Sequence, residues 1–161
     1  MRHRRVLMTF PFSRRGLAVA GAAAVCAALS ASAFGLEYRS VEPAAAVLYD
    51  APSLKGKKLF IVHRYTPVEI VVSLEGWAKV RDADGTLAWI ERKALTDKRT
   101  TLVTASRAEV RQAAEAAAPL AFEADKGVAL EVVEPARDGW AKVRHVDGQS
   151  GYVRITQVWG L

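Results

Sequence analysis

The hexapeptide Gly76-Trp77-Ala78-Lys79-Val80-Arg81 occurs again, unchanged, as Gly139-Trp140-Ala141-Lys142-Val143-Arg144, 63 residues further on. The agreement extends to both sides. At the same spacing Asp84-Gly85 meets Asp147-Gly148, and Trp89-Ile90 meets Tyr152-Val153. Upstream, Val68-Glu69-Ile70-Val71 matches Leu130-Glu131-Val132-Val133 at a spacing of 62, so one residue has been gained or lost between the two blocks. This pattern marks a tandem duplication of a unit of about 60 residues. It limits the fold before anything else does, because each hydrophobic core must then come from one such small unit. A chain of 161 residues divided this way has no room for a doubly wound nucleotide-binding domain or an eight-stranded α/β barrel.

Each unit reads as all-β. Val68–Leu74 and Val128–Glu134 are rich in β-branched residues, and Trp77–Arg81 alternates strictly between large polar or aromatic and small aliphatic side chains. Asp82-Ala83-Asp84-Gly85 and His145-Val146-Asp147-Gly148 are turn sequences whose glycine can take a positive φ. Ala105–Ala118 is rich in Ala, Glu, Gln and Arg and favours helix on propensity alone. The repeat aligns it with the Pro-interrupted stretch Glu42–Lys55, so an extended conformation is expected there. The boundary between units falls near Arg99-Thr100, without a Gly/Ser/Pro-rich linker, so the units should pack together or move only slightly.

Side chains alternate across a strand, so Trp77, Lys79 and Arg81 share one face while Ala78 and Val80 share the other. The small aliphatic pair suits a barrel interior. That leaves a tryptophan with two cations facing outward, repeated at Trp140, Lys142 and Arg144. Such a tryptophan either covers a loop or the sister unit, with the lysine stem over its ring, or offers an aromatic platform to a ligand. The first copy is richer in aromatics, with Tyr49, Phe60, Tyr65, Trp77 and Trp89. The expected ligand contacts are therefore Tyr49, Tyr65 and Trp77, with Lys79 and Arg81 at the rim and Trp140 as the repeated counterpart. Trp159 is expected to pack and pin its end of the chain.

The charge sits unevenly. The chain carries a formal +6, but Arg2, Arg4, Arg5, Arg14 and Arg15 fall within residues 1–33, which contain no acid. Beyond Ala33 the balance is 18 basic to 17 acidic residues, so no basic field remains for nucleic acid. Residues 1–33 read as an export signal: a basic start, the uncharged leader helix Leu17–Leu29, and Ala31-Ser32-Ala33 before a cleavage point. Cleavage after Ala33 would discard Cys26, the sole cysteine, and place the remainder in the periplasm. Leu17–Leu36 is also long enough to stay as an anchor, and this uncleaved form is the only membrane contact expected. Ser13-Arg14-Arg15-Gly16-Leu17 resembles a twin-arginine signal. Lipidation of Cys26 is disfavoured by Val25, which stands where a small residue is needed.

The series Gly-Trp-x-Lys-Val-Arg, Asp-Gly, then a small residue before an aromatic and a β-branched one, resembles the second half of the bacterial SH3-like domain. Leu95-Thr96-Asp97-Lys98-Arg99-Thr100 resembles the tandem SH3-like family of exported proteobacterial envelope proteins. The resemblance implies two tandem five-stranded barrels, over residues 38–99 and 100–161, and a non-catalytic module that contacts peptidoglycan or an envelope protein or peptide. The alternative it allows is an accessory subunit of a larger envelope enzyme or assembly, with the tryptophan faces buried at the interface. In eukaryotic peptide-binding relatives, Trp77 would match the groove tryptophan, and Val47-Leu48-Tyr49-Asp50 resembles their first groove motif. Ala51, Glu91 and Ala94 stand where those domains carry a tyrosine, a proline and a tyrosine. In the second copy Arg154, Gln157 and Gln112 stand at the positions of Glu91, Ala94 and Tyr49. Too few aromatic ridges remain for a Pro-rich ligand to be expected.

Catalytic and cofactor chemistry has little foothold. Beyond the leader, His63 and His145 have no carboxylate or cysteine at ligand spacing, so no metal or cofactor is expected. No phosphate-cradling glycine loop or nucleophile elbow occurs. Asp82 and Asp84 sit together in a turn, and His145 replaces Asp82 in the second copy, so the pair reads as turn chemistry. Lys55-Gly56-Lys57-Lys58 reads as a solvated loop.

Overall fold

The computed structural model describes residues 36–161; the leader, its cleavage point after Ala33 and Cys26 lie outside the described residues. Strands β1 (Glu37–Val41), β2 (Ala45–Tyr49), β3 (Lys58–His63), β4 (Pro67–Leu74), β5 (Trp77–Arg81), β6 (Leu87–Glu91) and β7 (Leu95–Thr96) form one sheet in the order β3-β2-β6-β5-β4-β1-β7. Strands β8 (Thr100–Val103), β9 (Arg107–Arg111), β10 (Leu120–Asp125), β11 (Ala129–Arg137), β12 (Trp140–Arg144), β13 (Ser150–Arg154) and β14 (Val158–Trp159) repeat it as β10-β9-β13-β12-β11-β8-β14. The duplication in sequence is thus a duplication in topology, strand for strand. Each sheet has seven strands rather than five, because both arms of the β2–β3 hairpin, and of β9–β10, are themselves strands. β2 joins the sheet through the Tyr49–Trp89 pairing, and β9 joins through Arg111–Tyr152. Arg111, not Gln112, is therefore the counterpart of Tyr49: the 62-residue spacing persists through β9.

Alternation builds the two cores. Ala78, Val80, Ala88 and Ile90 point inward with Val41, Leu48 and Val68 in the first barrel. Ala141, Val143 and Val153 do so with Val103, Val110 and Leu130 in the second. The helix-favouring stretch 105–118 is extended over β9, where Ala108 and Val110 are fully buried. An isolated propensity of a few tenths of a kcal/mol per residue yields to the sheet that needs these side chains. Both hairpin turns fold as expected, with Gly85 and Gly148 at φ 86° and 95°. Asp82 Oδ1 accepts from the amides of Asp84 and Thr86 at 3.0 and 2.8 Å. In the second turn Asp147 does this work. The Gln149 amide donates to it at 3.0 Å, and this bond, with those from the Gln149 side chain and His145, holds its carboxyl below the usual range.

Both sheets belong to one compact unit, and a polar and aromatic seam joins them. Thr100 Oγ1 donates to the Tyr65 carbonyl at 2.7 Å, so the 2.6 Å contact between Ser40 and Thr100 has Ser40 as the donor. Trp159 meets Tyr38 edge to face at 5.2 Å, and Arg99 lies over the Tyr38 ring and donates to the Gly160 carbonyl. Trp159 is held as expected. Among the described residues no helix is long and apolar enough to cross a membrane.

Candidate functional site

The outer face of the first barrel follows from strand register. β4, β5 and β6 pair so that Leu74, Trp77 and Glu91 form one row across the sheet and Val72, Lys79 and Trp89 form the next. Tyr49 on β2 pairs with Trp89 and extends that row. Its ring meets Trp77 edge to face at 5.5 Å, an arrangement that aligns the positive edge of one ring with the negative face of the other. Lys79 Nζ sits 5.9 Å from the Trp89 ring centre. Lys79 makes no ion pair among the described residues. Arg81 lies one row further along, its Nη1 donating to both carboxylate oxygens of Glu69 at 3.1 and 2.9 Å. A hollow of about 560 Å³ opens on the other side of Tyr49, lined by Pro43, Val47, Arg64, Glu91 and Lys93 among others. Glu91 is bound to Lys93 at 2.8 Å, and that hydrogen bond raises the lysine's pKa.

The second barrel presents the same positions with different partners, around a hollow of about 460 Å³ lined by Glu134, Trp140, Lys142 and Tyr152 among others. Glu134 occupies the register place of Val72 and binds Lys142, the counterpart of Lys79, at 2.7 Å. The hydrogen bond raises the pKa of Lys142. Arg154 occupies the place of Glu91 and lies 4.5 Å from the Trp140 ring centre, and Trp140 is 8% exposed. Arg111 stands in place of Tyr49 and is bound to Glu109. One sequence motif has thus produced two different surfaces. In the first copy the half-buried Trp77 and Trp89 flank a lysine that meets no acid among the described residues, with Tyr49 beside them only 6% exposed; in the second a cation caps the tryptophan and an acid occupies the lysine.

Of the six residues expected to bind, Tyr49, Trp77 and Lys79 share this face of the first barrel, with Arg81 beside them and engaged by Glu69. Trp140 lies under Arg154 on the second barrel, 8% exposed where Tyr49 is 6%, and lines the hollow there. Tyr65 lies elsewhere, on the seam. It follows β3 with a left-handed φ of 68°, and the Lys98 ammonium lies 5.1 Å from its ring centre. A bulky side chain in that conformation costs about 1–2 kcal/mol, and Gly127 fills the equivalent turn of the second barrel at φ 87°. Two members of the face were missing from the expected set. Trp89 and Val72 follow once the Asp82–Gly85 turn fixes which residue of β6 opposes Lys79 and the β4–β5 bulge fixes which residue of β4 does so. Among the described residues no cluster of three His, Asp or Glu side chains is placed to hold a metal.

A family model described as "Bacterial SH3 domain" matches the chain twice, over residues 42–97 and 104–160. No curated protein matches it. Solved structures similar to the chain include NlpC2 from Trichomonas vaginalis, 16% identical over 78% of this chain and 48% of that one, with a TM-score of 0.36. NlpC1 from the same organism is 16% identical over 80% of this chain and 47% of that one, also at 0.36. An NlpC/P60 family protein from Bacillus cereus is 15% identical over 76% of this chain and 56% of that one, with a TM-score of 0.36. The chain spans about half the length of these structures.

Proposed function

The chain belongs to the bacterial SH3 domain family over both its halves, and on that premise we propose that it is an exported, non-catalytic binding module of the cell envelope. Its ligand is peptidoglycan or an envelope protein segment, taken on the outer face of the first barrel. One observation carries the reading: among the described residues Lys79 has no ion-pair partner between Trp77 and Trp89, whereas its twin Lys142 is neutralised by Glu134. An ammonium between half-buried indole rings suits a ligand that combines carboxylates with an apolar peptide or sugar face. The second barrel, where Arg154 lies over Trp140 and Glu134 binds Lys142, serves as the support on which the first is mounted.

Co-sedimentation with purified peptidoglycan tests this. Wild type is retained at low salt, and Trp77→Ala and Lys79→Glu are both lost from the pellet. Export is checked separately, by fractionation and by sequencing the mature N-terminus, expected at Phe34. Absence of wild-type retention, with a stable co-purifying envelope protein whose binding survives Trp77→Ala, overturns the reading and makes the chain a subunit of that assembly.

A further inference from the structure

The seam carries a cleft apart from the outer face of the first barrel. This cleft, of about 320 Å³, lies between the barrels, within the order of 300–1,000 Å³ typical of ligand sites and at its small end. Tyr65 and Lys98 form one wall, and Arg144, His145, Val146 and Gly148 from the second barrel's turn form the other. Glu131 lies in the floor, bound by Arg144 through Nη2 at 3.0 Å and Nε at 3.3 Å and by Lys98 at 3.3 Å. Burial pushes the Glu131 carboxyl up, but the hydrogen bonds from Arg144 and Lys98 outweigh it and hold it below its usual value of 4.5. It is therefore a fixed anion shared by two cations, and the floor keeps a surplus positive charge.

Donors are left over on the residues that line the cleft. Arg144 spends its Nε–Nη2 edge on Glu131, which leaves the Nη1–Nη2 edge free for a bidentate acceptor. Lys98 has two further hydrogens, and the Tyr65 hydroxyl makes no hydrogen bond among the described residues. His145 is engaged by Asp147 at 3.0 Å. Beside these donors stands apolar surface, the Tyr65 ring and Val146, which is 80% exposed at the lip of the cleft. The second barrel has Gly127 in place of Tyr65, so no ring stands at its equivalent turn. A strained tyrosine where the sister copy has glycine is the kind of backbone outlier that accompanies binding sites.

We propose that this cleft binds the carboxylate of a peptide on Arg144, Lys98 and Tyr65, with the neighbouring ligand side chain packed between the Tyr65 ring and Val146. The cleft is independent of the outer face of the first barrel, so either can fail alone.

Amide-resolved NMR titration of the full chain tests it with three probes: acetyl-alanyl-leucyl-alanine, its carboxamide, and acetyl-alanyl-glutamyl-alaninamide. A carboxylate probe shifts the amides of Tyr65, Lys98, Val146 and Gly148, and the carboxamide does not. Preference for the first probe assigns a chain terminus, and preference for the third an acidic side chain. Arg144→Gln and Tyr65→Asn each weaken binding about tenfold, the scale of one charge-assisted or well-oriented hydrogen bond. Asparagine tolerates the left-handed backbone, so the second variant keeps its fold whether or not the first does. Equal shifts from the carboxamide, shifts confined to Tyr49, Trp77 and Lys79, or Tyr65→Asn with wild-type affinity would each overturn the proposal.

Discussion

At the scale of single residues, Tyr65 shows how a duplicated chain supplies its own control. The same turn is built with tyrosine in one copy and glycine in the other, at φ 68° and 87°. Replacing Tyr65 by glycine relieves strain of about 1–2 kcal/mol. It also adds unfolded-state freedom worth about 0.5–1 kcal/mol and removes a contact with Lys98 of about 0.5–1 kcal/mol. These effects nearly cancel, so Tyr65→Gly is expected to change stability by less than about 1 kcal/mol. Gly127→Ala has strain to gain and nothing to relieve, and should destabilise by about 1 kcal/mol or more. Urea denaturation of both variants decides it. A large loss in Tyr65→Gly alone would mean that the ring holds the seam together rather than standing ready for a ligand.

Between whole strands, the two outer faces differ through register rather than through their shared motif. Val72 and Glu134 occupy the same place opposite Lys79 and Lys142, each just past a bulge. Val72→Glu should therefore give Lys79 a partner and close the first face, weakening retention on the peptidoglycan pellet about tenfold. Thermal stability should hardly move, since an exposed ion pair contributes little. Unchanged retention would show that Lys79 takes no part. The same comparison explains what the sequence could disclose. The inward pair Ala78 and Val80 follows from period-2 alternation and was legible, as were the outward Trp77 and Lys79. The contrast between copies was not, because Val72 and Glu134 gain their meaning only once a bulge sets them opposite a lysine. Tyr65 was grouped with the other aromatics of the first copy, while the β3–β4 turn places it at the seam, away from Tyr49 and Trp77. The assignment of Gln112 rather than Arg111 to the place of Tyr49 came from extending one spacing across the point where it changes.

For the molecule as a whole, the question is whether two barrels of about 60 residues fold as one. Each is near the size at which a core alone gives marginal stability, so the seam has consequences out of proportion to its size. Thr100 is its centre: buried at the start of β8, it accepts from Ser40 and donates to the Tyr65 carbonyl. Thr100→Val keeps the shape, removes both bonds and leaves a hydroxyl and a carbonyl unpartnered inside the seam. Each such loss costs about 1–3 kcal/mol, and for a unit of this size Tm falls by roughly 3–5 °C per kcal/mol. If the seam couples the barrels, wild type unfolds in a single calorimetric transition whose van't Hoff and calorimetric enthalpies agree. Thr100→Val then lowers that one transition, or splits it as coupling weakens. Independent barrels would give two transitions from the outset, and the substitution would shift only the one that contains β8. That outcome would also remove the fixed cleft wall on which Tyr65 and Arg144 face each other, because a site shared by two bodies requires that they keep their distance.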